Sequence, residues 1–148
     1  MNRTDLSLNA LRIMLRASQS VEGALKKDMN RYGLNSTEFT VMELLYNKGK
    51  QPIQMLGKKI LLASSSITYV VDKLESKGYI ERIPDTKDRR VTYVELTASG
   101  RNKMEEIFPN HAQVIKHMFD VLEEDEIRQL NDTLKKLGYH VEDREVPE

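Results

Sequence analysis

Apolar residues near the start of the chain recur every three or four positions between Leu8 and Tyr32, and this spacing predicts a long amphipathic helix. Gly33 follows and is expected to end that helix. A second helix is predicted to begin at Asn35, because its side chain can cap the helix while Glu38, three residues later, completes a reciprocal cap.

The next two predicted helices are a short one and a longer one, separated by a turn. Pro52 suits the first turn of the short helix. The longer helix has the clearest pattern in the chain, since its apolar residues fall at positions i, i+3, i+4 and i+7 and share one face: Ile67, Val70, Val71 and Leu74. Its opposite face is rich in hydroxyl groups, and Gly78 is expected to end it. This succession of elements is typical of a helix-turn-helix.

A β-hairpin is predicted to follow. Two β-rich runs, residues 79–83 and 91–96, are joined by the charged turn 84–90. The elements together predict a mainly α protein with a small β-hairpin wing, an α+β winged helix-turn-helix. We expect a fifth helix capped by Thr97 and bent at Pro109.

The end of the chain is predicted to hold a sixth helix and a tail. Four acidic residues at 123–126 suit the start of the helix, where its dipole favours negative charge. Residues 139–148 are expected to form a polar tail.

Composition narrows the function classes. The chain has 148 residues and no cysteine, which excludes disulfides, thiolate metal sites and a thiol redox switch. It has no apolar run near the roughly 20 residues that span a bilayer and no signal-peptide layout, so we expect a cytoplasmic protein without membrane contact.

The net charge of zero conceals an uneven distribution. Residues 48–103 carry 12 Lys or Arg against six Asp or Glu, so the middle of the chain is basic and the ends are acidic. A basic block of this kind suits phosphate binding, although solvated surfaces can look similar.

Three stretches carry a resemblance to a known family: GLNSTEFTVMELL, ILLASSSITYVVDKLESKGYIER and PDTKDRRVTYVELTASGR. In these stretches and in the order of its elements, the chain resembles the MarR family of winged helix-turn-helix transcriptional regulators over nearly its whole length. Within that family, the stretches GLNSTEFTVMELLYNKG and KILLASSSITYVVDKLE look most like a quinone- and hydroquinone-responsive branch of repressors. The resemblance implies a bacterial homodimer that binds double-stranded DNA and responds to a small molecule, often aromatic or phenolic.

The fourth helix is the candidate recognition helix, because the major groove admits one helix and short side chains let its backbone approach the bases. Ser65, Ser66, Thr68 and Tyr69 occupy its exposed N-terminal half, and Ser64 is expected to cap it. The alternative is that these serines only cap the helix and face solvent.

The hairpin tip is the candidate minor-groove element, since a guanidinium enters a narrow groove at a smaller desolvation cost than an ammonium. Arg89 and Arg90 qualify, and by resemblance the family's Asp-x-Arg wing motif falls on Asp88 and Arg90, with Asp88 holding an arginine and Arg90 inserting. The alternative is a solvated turn with surface ion pairs worth less than ~1 kcal/mol each. The candidate phosphate contacts are Lys58, Lys59, Lys73, Lys77 and Arg82.

His111 interrupts the apolar seam of the fifth helix, so it could line a ligand pocket, respond to pH, or be a hydrogen-bonded core histidine. His117 and His140 are too isolated to form a metal site with it, and we expect neither a metal nor a cofactor. No nucleophile-and-base pair is recognisable, so an enzyme is not expected.

We therefore expect a single domain, residues 1–148, with two functional parts. Helices at about 5–33 and 98–138 would form the dimerisation region, because their apolar stripes exceed what one small sheet can cover, and about 35–97 would form the DNA-binding lobe. A two-fold dimer would bind a pseudo-palindromic operator. The structural alternative is a monomer with these helices folded on its own core. The functional alternative is a winged-helix module that binds another protein.

Overall fold

The computed structural model describes residues 1–60 and 64–142, and within them the chain contains six helices and one three-stranded antiparallel sheet. The helices are α1 (Arg3–Asn30), α2 (Ser36–Lys48), α3 (Ile53–Lys59), α4 (Ser64–Ser76), α5 (Ala98–Phe119) and α6 (Glu124–Glu142). The strands are β1 (Gln51–Pro52), β2 (Ile80–Pro84) and β3 (Thr92–Leu96). The predicted fold class, mainly α with a hairpin wing, is confirmed.

The chain forms two compact units, Met1–His111 and Ala112–Glu148, and α5 begins in the first and ends in the second. The first unit holds α1 to α4 and the sheet. The second holds the end of α5 and α6. The expectation of one domain with a dimerisation region and a DNA-binding lobe stays a prediction.

The core of the first unit is built from the apolar faces that the periodicity indicated. Helix α2 contributes Phe39, Met42 and Leu45, all almost completely buried. Helix α4 buries all four residues of its predicted stripe, Ile67, Val70, Val71 and Leu74. Each fully buried side chain of this size contributes roughly 1.5–3 kcal/mol relative to an exposed one. Burial on one face of α4 therefore determines which residues it presents to solvent.

The start of α2 shows the predicted reciprocal cap. The Glu38 backbone N–H donates to the Asn35 side chain at 2.8 Å, and the Asn35 backbone N–H donates to the Glu38 carboxylate at 3.1 Å. The predicted cap of α5 is also present, because the Gly100 N–H donates to the Thr97 hydroxyl at 3.0 Å. These local interactions occupy N–H groups that a helix start leaves without helical partners.

The sheet contains one strand that the sequence did not indicate. Its strand order is β1-β3-β2, with Gln51 opposite Val94 and Pro52 opposite Tyr93. Pro52 was predicted within the first turn of the third helix, and this was wrong: it is extended, with φ −62° and ψ 142°, and immediately precedes α3. A two-residue strand has no alternation by which to recognise it. Strand β2 is shifted by one residue at both ends from prediction, and β3 begins one residue later than predicted.

The first helix is half core and half surface. Met29 is buried and Leu25 is partly buried, whereas Leu11, Leu15 and Val21, on the predicted apolar face, are exposed. The helix ends at Asn30, two residues before its predicted end. Within the described chain, nothing covers these apolar residues of α1.

The second unit departs from prediction at its end. Helix α6 continues to Glu142, so the prediction of a polar tail was wrong for residues 139–142, and residues 143–148 lie outside the described chain. The helix passes through Gly138, and a single glycine costs only about 1 kcal/mol in a helix interior. Helix α5 likewise continues through Pro109, and the expected bend there stays a prediction. No helix among the described residues has both the length and the apolar character needed to cross a membrane.

Gly100 is the position where the fold least tolerates a side chain. A Cβ there would overlap the backbone carbonyl of Tyr79, which itself accepts a hydrogen bond from the Thr97 N–H at 3.0 Å. We predict that Gly100→Ala lowers the free energy of unfolding by about 1–3 kcal/mol, because neither backbone can move without breaking this contact. Urea unfolding at one fixed protein concentration measures the change.

The matched control is Gly23→Ala in α1, where a Cβ meets no atom within 4 Å. It should stabilise the protein by up to ~1 kcal/mol, since alanine is the better helix former. Equal effects of the two substitutions would contradict the packing described for Gly100.

Candidate nucleic-acid interface

Helix α4 presents a polar face away from the core. Ser66, Thr68, Tyr69 and Lys73 are all exposed, opposite the buried stripe. Tyr69 is 61% exposed, and the Lys73 ammonium lies 5.5 Å from the centre of its ring, a cation–π distance. A large aromatic ring held in solvent at the middle of a helix is available to contact a ligand. Ser64 and Ser65 begin α4, but their side chains lie outside the described part of the chain.

Lys77, just after α4, has a structural partner that sequence reasoning missed. Its ammonium lies 2.7 Å from the Glu38 carboxylate at the start of α2 and donates to the Gly33 carbonyl at 3.3 Å. The Glu38 side chain is only 4% exposed, so its charge depends on this partner and on the Asn35 N–H. Lys77 thus anchors the end of α4 to α2, and a phosphate contact would compete with that ion pair.

Arg82 of β2 also has carboxylate partners, but these are exposed ones. Its Nη2 donates to Asp72 at 2.5 Å and its Nη1 to Glu75 at 2.8 Å, both on α4. The two carboxylates lie three residues apart on one helix face, which suits the two-sided guanidinium fork. Arg82, which was predicted to contact phosphate, therefore joins the wing to the candidate recognition helix. The positions of charged residues in the sequence could not show which of them form ion pairs.

The turn between β2 and β3 organises the Asp-x-Arg motif. Asp88 accepts from the Arg90 backbone N–H at 3.0 Å and from its guanidinium at 3.1 and 3.2 Å. These side-chain and backbone hydrogen bonds hold the pKa of Asp88 below its usual value, so its carboxylate stays charged as the pH falls through the ordinary aspartate range. The Asp88 N–H in turn donates to Asp85 at 3.1 Å, which ties the turn to its own start.

The arginine held by Asp88 points its remaining donors outward. The Arg90 side chain is 90% exposed, and Asp88 accepts one proton from Nε and one from Nη2, which leaves the other Nη2 proton and both Nη1 protons for another acceptor. The neighbouring Arg89 and Lys87 are exposed on the same turn. The wing thus displays three cations, one of them oriented.

The remaining predicted phosphate contacts lie on α3. Lys58 and Lys59 are exposed, and the Lys59 ammonium donates to the Gln51 side chain at 3.1 Å. A hydrogen bond between two exposed groups is readily exchanged, so both cations remain available to an anion.

His111 is a core residue. Its ring is 3% exposed, its Nδ1 lies 3.2 Å from Asp28, and its Nε2 lies 3.4 Å from Glu43. The ring packs on Phe39 with 4.4 Å between centroids. The two carboxylate partners come from α1 and α2, so sequence spacing could not show them.

Known proteins resemble this chain in sequence and in fold. A sequence model of the MarR family matches residues 34–92. The HTH-type transcriptional regulator MhqR of Bacillus subtilis (strain 168) is 47% identical over 135 residues, which cover 91% of this chain and 93% of that protein.

Two solved structures share the fold at lower identity. A MarR variant from E. coli, crystallised with operator DNA, has a TM-score of 0.80 at 22% identity, covering 93% of this chain and 99% of that one. NadR in complex with 4-hydroxyphenylacetate has a TM-score of 0.73 at 22% identity, covering 84% of this chain and 88% of that one. At this identity the likeness concerns the fold.

The ion pair between Lys77 and Glu38 can be tested by comparing Lys77 with an exposed lysine that has no buried partner. We predict that Lys77→Met lowers the free energy of unfolding by about 1–2 kcal/mol, because it leaves a buried carboxylate with one backbone donor, while the partial exposure of Lys77 keeps the loss below that of a fully buried pair. The control Lys73→Met removes an exposed cation and should change stability by less than ~0.5 kcal/mol. Thermal or urea unfolding measures both changes in the free energy of unfolding. Equal losses in the two variants would contradict the anchoring role of Lys77.

Proposed function

The chain belongs to the MarR family of transcriptional regulators, and from this premise we propose that its α4 helix and β2–β3 wing bind an operator as parts of a homodimeric repressor. It is a DNA-binding transcriptional regulator, as its 47% identity to a regulator over 91% of the chain indicates. The observation that carries the proposed contacts is the Arg82 bridge, which ties the wing to α4 through Asp72 and Glu75.

Helix α4 supplies the proposed major-groove contacts. Ser66, Thr68 and Tyr69 are exposed on this helix, and their hydroxyl groups can donate to or accept from base edges. Ser64 and Ser65 are proposed as contacts from the sequence alone. Lys73, on the same face, would contact a phosphate and so position the helix without selecting a sequence.

The wing supplies the proposed minor-groove contacts. Asp88 orients the Arg90 guanidinium, so less conformational freedom is lost when that group enters the groove. Arg89 and Arg90 carry the positive charge that a narrow, A·T-rich groove attracts. Because Arg82 binds α4, the wing and the helix would approach the duplex as one piece.

Regulators of this family are dimeric, and apolar surface in each unit supports a homodimer here. In the first unit α1 exposes Leu11, Leu15 and Val21. In the second unit α6 exposes one apolar stripe at Leu130, Leu134 and Leu137. Surfaces of this kind are covered in a stable assembly. A two-fold dimer would bind a pseudo-palindrome with half-sites about one helical turn, ~34 Å, apart.

The proposed effector is a small phenolic or quinone-type molecule that releases the DNA. Support comes from the stretches that resemble the quinone- and hydroquinone-responsive branch and from the fold neighbour NadR, which was solved with 4-hydroxyphenylacetate. Because the chain has no cysteine, binding in place of thiol oxidation would be the signal. A regulator of this kind acts in the cytoplasm, where its DNA is.

Selection of bound duplexes from a random DNA pool at near-physiological salt tests the proposal, since weak phosphate binding is then largely suppressed. We expect an inverted repeat with half-sites one turn apart, and hydroquinone or 4-hydroxyphenylacetate, but not an aliphatic alcohol, should release it. No enrichment by a folded dimer would contradict sequence-specific binding and favour a protein-interaction module.

Arg90→Ala tests the wing. We expect the affinity for operators with A·T-rich flanks to fall about tenfold, ~1.4 kcal/mol, and the affinity for G·C-rich flanks to fall less, because groove width is what this arginine senses. Lys87→Ala is the matched control, an exposed cation of the same turn. Titration of both flank series measures the difference, and equal losses on the two series would exclude minor-groove insertion.

Lys73→Ala tests the phosphate contact. The slope of log affinity against log salt should become shallower by about one unit, since one phosphate contact fewer releases about one counterion fewer. The affinity should fall evenly across operator sequences. Lys136→Ala, at an exposed position of α6, should leave the slope unchanged. A wild-type slope in Lys73→Ala would place Lys73 in solvent.

A further inference from the structure

Four exposed lysines lie around the short strand β1. Lys48 is the last residue of α2, Lys50 immediately precedes β1, and Lys58 and Lys59 are the last two residues of α3. The Gln51 side chain of β1 lies among them: its Oε1 accepts from the Lys59 ammonium at 3.1 Å, and its Nε2 is 3.5 Å from the Lys48 carbonyl oxygen. We call these four residues the lysine patch. The sequence indicated Lys58 and Lys59 as phosphate contacts, but not Lys48 or Lys50.

The lysine patch has no ion-pair partner within residues 1–60 and 64–142. Glu95 of β3 follows Val94, the strand partner of Gln51, and it forms no ion pair with the patch either. Four positive charges are therefore exposed at one corner of the first unit without a carboxylate bound to them. A cluster of this kind attracts anions.

Neutral groups hold two of these ammonium groups in place. The Lys50 ammonium lies 4.8 Å from the centre of the Tyr93 ring on β3, within cation–π distance. Lys59 gives one of its three N–H donors to the Gln51 amide, which leaves two. A ring or an amide oxygen restricts the position of an ammonium without cancelling its charge. Both lysines are thus positioned and still able to bind an anion.

Other cations of the same unit are held in two different ways. Lys77 and Arg82 bind carboxylates, so their charge is compensated within the protein. Lys73 of α4 instead lies over the ring of Tyr69, as Lys50 lies over that of Tyr93, and it belongs to the face proposed to bind DNA. In this respect the lysine patch is similar to the proposed DNA surface and differs from the cations that stabilise the fold.

The lysine patch adjoins both elements that are proposed to bind DNA. Helix α3 ends at Lys59 and α4 begins at Ser64, while β1 pairs with β3, a strand of the wing. In a helix-turn-helix the first helix crosses the DNA backbone when the second enters the major groove. Duplex DNA presents phosphates at regular spacing, so several unpaired cations can each bind one. This continuity favours DNA over an acidic protein segment as the partner of the patch.

We propose that the lysine patch binds the phosphate backbone of the operator, beside the contacts of α4 and the wing. This inference rests on the proposed function and extends it, because Lys48 and Lys50 join the groups that position the protein on the duplex. Phosphate contacts carry no sequence information, so the patch raises the affinity for every duplex.

The salt dependence of binding to a random-sequence duplex is the first test. One variant that combines Lys50→Met and Lys59→Met removes both positioned ammonium groups and keeps the side-chain stems at two exposed positions. The slope of log affinity against log salt should become shallower by about two units, since each lost phosphate contact releases about one counterion fewer. Lys50→Arg combined with Lys59→Arg should restore the wild-type slope, because arginine keeps the charge.

The matched control combines Lys135→Met and Lys136→Met on the exposed surface of α6, and it removes the same charge. Its slope should equal that of the wild-type protein. An unchanged slope in the Lys50→Met/Lys59→Met variant would overturn the proposal and favour an acidic protein segment as the partner. An equal change in the control variant would overturn it too, because the effect would then follow from net charge alone.

Neutralising single phosphates of a selected operator locates the contacts. A methylphosphonate group removes the charge of one phosphate at a time. The wild-type protein should lose affinity at phosphates to which the Lys50→Met/Lys59→Met variant is insensitive, and both proteins should lose affinity at the phosphate that Lys73 contacts. Equal sensitivity of the two proteins at every phosphate would overturn the proposal.

The random-sequence duplex separates this inference from the proposed function. A slope shallower by about two units on that duplex supports the lysine patch even if selection returns no operator. If an operator is selected and the slope of the double variant is unchanged on both duplexes, the patch is excluded, and the proposed contacts of α4 and the wing are unaffected.

Discussion

Burial of one face of α4 is the constraint on which the rest of the structure depends. Ile67, Val71 and Leu74 are almost completely excluded from solvent against the core of the first unit. A helix with 3.6 residues per turn that buries these positions must present Ser66, Thr68, Tyr69 and Lys73 outward. The hydrophobic effect, which has no preference for a ligand, thereby selects the polar face that we propose binds DNA.

Two sets of charge-assisted hydrogen bonds hold α4 in place against neighbouring elements. Lys77 ties the end of α4 to the buried Glu38 of α2, and Arg82 ties β2 to α4 through Asp72 and Glu75. Lys77 and Arg82 are therefore less available to contact phosphate than an unpaired cation would be. In the proposed interface these two cations hold α4 to α2 and to the wing, and do not contact phosphate. Separately, the buried ring of His111 on α5 contacts Asp28 of α1 and Glu43 of α2.

The sequence was sufficient for features that depend on neighbours along the chain. The stripe of α4, the Asn35–Glu38 cap, the Thr97 cap and the hairpin were all predicted, because each follows from local spacing. Strand β1 was not predicted, because two residues are too few to show an alternation of apolar and polar positions. Nor were the partners of Lys77, Arg82 and His111, because those pairs join residues distant in the chain or on separate elements. The DNA contacts themselves stay predictions.

Site-directed DNA cleavage tests most directly the central claim that α4 and the wing bind an operator together. The chain has no cysteine, so Fe–EDTA can be attached at a single position created by Tyr69→Cys, by Arg89→Cys or, as the control, by Glu22→Cys on the exposed surface of α1. The account predicts cleavage at the centre of each half-site from position 69, cleavage in the flanking minor groove from position 89, and no focused cleavage from position 22. Cleavage scattered along the duplex from positions 69 and 89, or focused cleavage from one of them alone, would contradict it.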